Sequence, residues 1–178
     1  SMSFFGGAEF DGCYGNQLSG VARELYDSLV KNYVADKKTG EFTHKFETPF
    51  TFEAEISGGS IVVNDELEMV QFEIQYAVQA AMDAFLYDHP EVFWLKKLST
   101  SYGVSASGNS VDGFTGSIED ITIIPEEIYA GASSKVSQYD IAVDSALDSI
   151  TVTEIRYDTL KNIHDYICNN AWYNLVNE

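Results

Sequence analysis

The sequence predicts an α+β domain, an antiparallel sheet packed with about four helices, and three observations lead there. In four stretches, apolar residues recur at three- and four-residue steps, the periodicity of a helix with one buried face. Between them, apolar and polar residues alternate with a period of two, as in half-buried strands. The resulting order (helix, strands, helix, strands, helices) is that of helices gathered on an antiparallel sheet.

Taken in order, residues 1–15 are Gly-rich with scattered aromatics and form an irregular lead-in; Ser1-Met2 reads as a remnant of tag removal. Residues 16–178 are expected to make a single α+β domain. Leu18, Val21, Ala22, Leu25, Tyr26, Leu29, Val30 and Tyr33 mark the first helix, which stops near Ala35 at a polar stretch ending in Gly40. From Phe42 to Val63 the period is two, carried by Phe46, Thr48, Phe50, Phe52, Ile61 and Val63, with Gly58-Gly59 as the turn of a hairpin. Asn64-Asp65 opens the next helix, and Asp65 with Glu68 has capping-box spacing. That helix runs to about Tyr87. It presents Leu67, Val70, Ile74, Ala77, Val78, Ala81, Met82 and Phe85 on one side, with Phe72, Tyr76, Ala80 and Ala84 on the other. A helix apolar on two faces is expected to be covered on both. His89-Pro90 ends it, because the residue before a proline is pushed out of the α region.

Val92 to Leu95 form an apolar knot. Strands are predicted over 98–106 and 111–124, joined by a turn at Ser107-Gly108-Asn109-Ser110 and closed by Pro125. Val136, Tyr139, Val143, Ala146, Leu147 and Ile150 mark a third helix. Thr151 or Thr153 caps a fourth, with Ile155, Leu160, Ile163, Ile167 and Ala171 inward.

Composition excludes several functions. Against 28 acidic residues stand 10 Lys and Arg, a net charge of −18. Lys and Arg are absent from Phe46 to Leu95 and from Leu98 to Ser134. A nucleic-acid groove needs clustered cations, so no nucleic acid is expected as partner. Anionic membrane surfaces are disfavoured for the same reason, and no run approaches the ~18 apolar residues of a membrane span. Hydrophobic residues make up 45% of the chain, which is enough for a real core. Cys13 and Cys168 are far from a disulfide framework; whether they pair stays open.

Catalytic signatures are sparse. The sequence has no Gly-rich phosphate loop, no GxSxG, no HExxH and no calcium loop. Zinc wants three or four converging ligands. Of the three histidines, His44, His89 and His164, only His164 has a partner at ligand spacing, Cys168 at i+4. The same pair would make a nucleophile only with an exposed thiol beside the imidazole. Cys168, however, falls on the apolar stripe, where cysteine behaves as a small hydrophobe. Carboxylate clusters such as Asp65-Glu66-Glu68, Glu119-Asp120 and Glu126-Glu127 are expected by chance in so acidic a chain, as solvated faces. The 11 Tyr and 11 Phe would suit sugar-stacking platforms, but most lie on core stripes. The residues therefore assign no catalytic, cofactor-binding or metal-binding position.

Two segments resemble a known family. Residues 80–95, AAMDAFLYDHPEVFWL, look like the "A…F…DHPE.FW" segment upstream of the catalytic core in bacterial transglutaminase-like proteins. Residues 157–173, YDTLKNIHDYICNNAWY, resemble the "Y…K…IHDYI…..Y" helix that leads into that core. The resemblance covers about residues 65–175, and residues 1–64 match nothing. Its motif positions are Phe85, Asp88, His89, Pro90, Phe93, Trp94, Ile163, His164, Asp165, Tyr166 and Ile167, all read as structural: Asp88 caps the turn after its helix, and Phe93 and Trp94 plug the core.

The family's logic is papain-like: a Cys attacks an amide carbonyl, a His acts as base and an Asp orients it. These three follow the "IHDYI" helix in the family, so none is carried onto this chain, and no cofactor is implied. The resemblance implies a non-catalytic N-terminal domain, cut off before a downstream catalytic core of the same polypeptide. The parent would be a bacterial, secreted or cell-surface enzyme acting on a protein or cell-wall substrate. The alternative is a stand-alone extracellular binding module for a surface polymer or protein. An exposed aromatic patch on the sheet would favour the module, and an apolar scar near the last helix the missing core.

Overall fold

A computed structural model describes residues 13–152 and 156–170. The chain divides into two compact units, residues 1–133 and 134–178.

In the first unit, a 3₁₀ turn at Tyr14–Gln17 precedes helix α1, Gly20–Leu29, which continues as a π-helical turn over Val30–Ala35. Leu25, Tyr26, Leu29 and Tyr33 are buried, the inward stripe the spacing predicts. Strand β1, Phe42–Ser57, turns back into β2, Ser60–Val62, with Ser57 opposite Ser60. Gly58 and Gly59 both have positive φ (60° and 80°), which a two-residue hairpin turn requires and a side chain resists. Alternation along β1 is not regular. The pairing with the last strand shifts between Lys45 and Phe50, next to Pro49, so Thr48 is exposed while Phe46 and Phe52 are buried. Such a bulge absorbs extra residues in one strand.

Helix α2 spans Asp65–Asp88. Its N-cap is Asn64, whose Oδ1 accepts the Leu67 N–H at 3.0 Å; Asp65 is the first helical residue and not the cap. Asp65, Glu66 and Glu68 in the first turn suit the positive end of the helix dipole. The second apolar face is covered only in part. Ala84 is buried toward the C-terminal end, where the Tyr14–Gln17 turn packs, but Phe72 and Tyr76 stand in solvent.

The strands β3, Leu95–Ser101, and β4, Ser105–Asn109, both pair with β5, Gly113–Glu127. The predicted single strand over 98–106 is thus two, interrupted at 102–104. The turn lies at 110–112, two or three residues later than expected, where Asn109 Oδ1 accepts the Val111 and Asp112 N–H groups at 2.8 and 2.9 Å. Pro125 does not close β5 but lies inside it, opposite Leu98. Pairing with β1 reaches only Phe42 opposite Ile123, so beyond that point β5 has a free side where a missing N–H does no harm.

The sheet is antiparallel with order β2-β1-β5-β3, and β4 also on β5. Helices α1 and α2 pack on each other and on β1. Beneath them lie Phe42, Phe46 and Phe52 of β1 and Ile118, Ile121 and Ile123 of β5, all buried. Each such side chain contributes about 1.5–3 kcal/mol over its exposed state. The first unit bears out the α+β reading.

The second unit contains α3, Val136–Ser149, and α4, Arg156–Asn170. None of the side chains described in either helix is buried. The inward set predicted for α4 is therefore corrected at Leu160 and Ile167, both more than half exposed, while Ile163 is half-buried. Thr151 is exposed, and its carbonyl accepts the Asn162 side-chain amide at 2.7 Å. Thr153, Ile155 and Ala171 lie outside the described residues.

Candidate functional site

The "DHPE.FW" residues gather at the C-terminal end of α2. Phe85 is fully buried, with the rings of His89 and Tyr26 at 5.0 and 6.4 Å. Asp88 caps a turn, though not its own. It reaches across 74 positions to accept the Tyr14 N–H on Oδ1 at 2.7 Å, and the Gly15 N–H on Oδ2 at 2.8 Å. Oδ2 also accepts the Tyr26 hydroxyl at 2.8 Å and the Cys13 thiol at 3.1 Å. Burial opposes the charge, but the amides of Gly15 and Tyr14, the thiol and the phenol outweigh it and hold the Asp88 carboxyl at about 2. The Tyr26 phenol is pushed far above its ordinary value by burial and by its bonds to Cys13 and Asp88.

His89 leaves the helix with φ −126°, and Pro90 opens the 3₁₀ turn Pro90–Val92. The His89 Nδ1 lies 2.9 Å from Glu91 Oε1, and Nε2 lies 3.4 Å from the Tyr26 hydroxyl. Phe93 is half-buried; Trp94 is buried and meets the Tyr33 ring edge-on at 5.4 Å. Arg23 completes the clasp, donating to the Gly15 carbonyl at 3.1 Å and to Asn16 Oδ1 at 2.9 Å. Cys, His and Asp thus meet here, with the Cys13 thiol donating to the Asp88 carboxylate and the His89 ring bound to Glu91. The cluster fastens the Tyr14–Gln17 turn to α2.

The "IHDYI" positions lie on α4. Ile163, Asp165 and Tyr166 are half-buried; His164 and Ile167 are exposed. Cys168 is exposed too, a correction to its expected burial on an apolar stripe. Its Sγ lies 3.5 Å from His164 Nε2, and His164 Nδ1 lies 3.4 Å from Asp165 Oδ1. This trio stands on a solvent-facing helix turn, with the His164 side chain 74% exposed. Asp165 is also bound to Lys161. Among the described residues, no group of three or more His, Cys, Asp or Glu side chains is arranged to hold a metal ion. Nor is any of their helices long and apolar enough to cross a membrane.

A third place was not marked by the sequence reading. Met69, Phe72 and Tyr76 succeed one another at i, i+3 and i+7 on α2 and are 72%, 71% and 71% exposed. Beside them a groove of about 760 Å³ runs between the first turns of α2 and β1, floored by Phe52 and Val70 and edged by Glu66, Glu68 and Glu73. Two further hollows share its lining at Glu66 and at Thr51, adding Glu53, Glu55 and Asp112. Glu66 Oε2 accepts the Glu53 N–H at 2.8 Å, and the Asn64 side-chain amide donates to the Glu53 carbonyl at 2.9 Å, so this corner is held in place. The sheet itself has no exposed aromatic patch among the described residues: Phe42, Phe46 and Phe52 are buried, Phe50 and Phe114 half-buried.

Compared with known proteins, the chain matches no family model, no curated protein and no solved structure.

Proposed function

We propose that this chain is a non-catalytic accessory domain of a bacterial transglutaminase-like cysteine protease or acyltransferase, secreted or at the cell surface, whose substrates are protein or peptide amides. One observation carries the reading. The helix bearing the "IHDYI" residues, α4, and its predecessor α3 bury none of their described side chains, and they leave Ile141, Leu147, Leu160 and Ile167 more than half exposed. Helices of 14 and 15 residues are marginal alone in water. An amphipathic pair without a core needs a further surface to pack on, and in this reading the catalytic domain of the same polypeptide supplies it. The "DHPE.FW" residues then keep the structural role that their packing around Phe85 and Trp94 supports. Chemistry is left to a Cys, a His and an Asp elsewhere in the parent.

The test is to read the gene beyond the codon for Glu178 and express what it encodes. The expected result is a Cys, then a His, then an Asp within about one more domain of ~150 residues, in a protein that hydrolyses or transfers a peptide amide. Replacing Leu160 and Ile167 by Glu should cut that activity at least tenfold. A stop codon, an unrelated sequence, or full activity in the double variant would overturn the proposal.

A further inference from the structure

We infer that the open face of α2 and the groove beside it dock a basic, amphipathic polypeptide segment. The inference goes beyond the accessory role above and does not depend on it. Three large side chains, Met69, Phe72 and Tyr76, project into solvent in one helical row, each more than 70% exposed. Aromatic and methionine side chains grouped in this way are the anchors that protein interfaces favour, and a helix-in-groove partner reads them at the same i, i+3, i+7 spacing. The groove alongside gives a partner's apolar side chains somewhere to go, over Val70 and Phe52.

Charge decides the occupant. Glu66, Glu68 and Glu73 edge the groove, and from Phe46 to Leu95 the chain has ten acidic residues and neither Lys nor Arg. A second copy would set acid against acid, in a molecule already at −18. An anionic bilayer would be repelled likewise. A segment with two or three Leu, Ile or Phe residues flanked by Lys or Arg matches both the apolar row and its rim. Glu66 is already held by the Glu53 N–H, so the rim meets the partner with little further ordering.

The experiment uses the whole chain and three fluorescent synthetic 18-residue peptides: an amphipathic Leu/Lys helix, its Leu/Glu counterpart, and oligolysine. Anisotropy titrations are run at physiological and at raised salt. The Leu/Lys peptide should bind at least tenfold tighter than oligolysine, and the Leu/Glu peptide should not bind. Phe72→Ala with Tyr76→Ala should weaken Leu/Lys binding at least tenfold while circular dichroism stays unchanged. Glu66→Gln with Glu73→Gln should weaken it severalfold and flatten its salt dependence. The exposed control Val111→Ala, in the turn between β4 and β5, should leave it unaltered. Equal binding of oligolysine, or an aromatic double variant that binds like the parent, would overturn the proposal. So would a self-associated chain that Phe72→Ala dissociates, or lipid-vesicle binding that the same variant abolishes. Since the critical variants lie on α2, their failure leaves the proposed packing of α3 and α4 untouched.

Discussion

Replacing Asp88 by Asn tests the clasp between the first described turn and α2. The wild-type carboxylate accepts two backbone amides, a phenol and a thiol. Asparagine keeps one oxygen acceptor and turns an amide donor toward the others. The carboxyl is held at about 2 against an ordinary 3.8, a gap worth at most about 2.4 kcal/mol at 1.36 kcal/mol per pH unit. The group is partly open to water, and screening reduces that to about 1–2 kcal/mol. Because the folded carboxyl lies below its unfolded value, its contribution is present in full above about pH 4 and is lost as the pH falls through about 2. Urea unfolding of wild type and Asp88→Asn, followed by tryptophan fluorescence between pH 7 and 2, should give a constant gap of that size at the upper end. The gap should then close toward the acid limit. No gap at pH 7 would show that the clasp does not stabilise the fold; an undiminished gap at pH 2 would show that shape, not charge, is what Asn disturbs.

Four other outcomes are expected. The Tyr33 hydroxyl is buried without a hydrogen-bond partner, so Tyr33→Phe should raise stability by about 1 kcal/mol in the same assay; a loss would mean that the hydroxyl is paired. A methyl group on Gly116 would collide with the Phe52 ring, and Gly116→Ala should cost about 1–3 kcal/mol. Adding Phe52→Leu should recover part of that loss, and strict additivity would refute the contact. Asn64→Ala should cost about 1 kcal/mol through the lost N-cap, and Asp65→Ala clearly less; the reverse order would return the cap to Asp65. Iodoacetamide should modify exposed Cys168 well before half-buried Cys13 in the folded chain, as mass spectrometry would show, and the opposite order would contradict both placements.

Much of the first unit was legible because its signals are local. The stop near Ala35, the Gly58-Gly59 turn and the end of α2 at His89-Pro90 each depend on a few neighbouring residues, and each stands where the spacing puts it. Pro125 was misread because a proline's cost depends on whether its strand has a neighbour on that side, which only the register with β1 decides. Asp88 reads in sequence as the cap of the turn after its own helix, but its partners Tyr14 and Gly15 are 74 and 73 positions away and no local pattern points to them. The groove was hidden for a different reason. Periodicity placed Phe72 and Tyr76 together on a second face of α2, and from there burial was assumed, although spacing says nothing about whether another layer exists to cover a face. The same limit applies to Leu160 and Ile167 on α4.

The interrupted borders of the sheet bear on how the chain behaves when crowded. At one margin β2 covers only Glu55–Ser57 of β1, and the rest of that side of β1 is broken by the shift between Lys45 and Phe50 and tied at Glu53 to Glu66 and Asn64. On the far side β5's pairing is divided between β3 and the five-residue β4, with a break at 102–104. A neighbouring molecule that tries to add a strand finds no long, straight ladder to extend. Lys96 and Lys97 on β3, each paired with Glu126, set charge along the β3 margin. Repulsion among molecules at −18 fades once salt shortens its range to ~8 Å or less, but interrupted margins do not depend on ionic strength. Concentrated, high-salt preparations of this chain should therefore resist fibrillar growth from the sheet edges even with their charges screened.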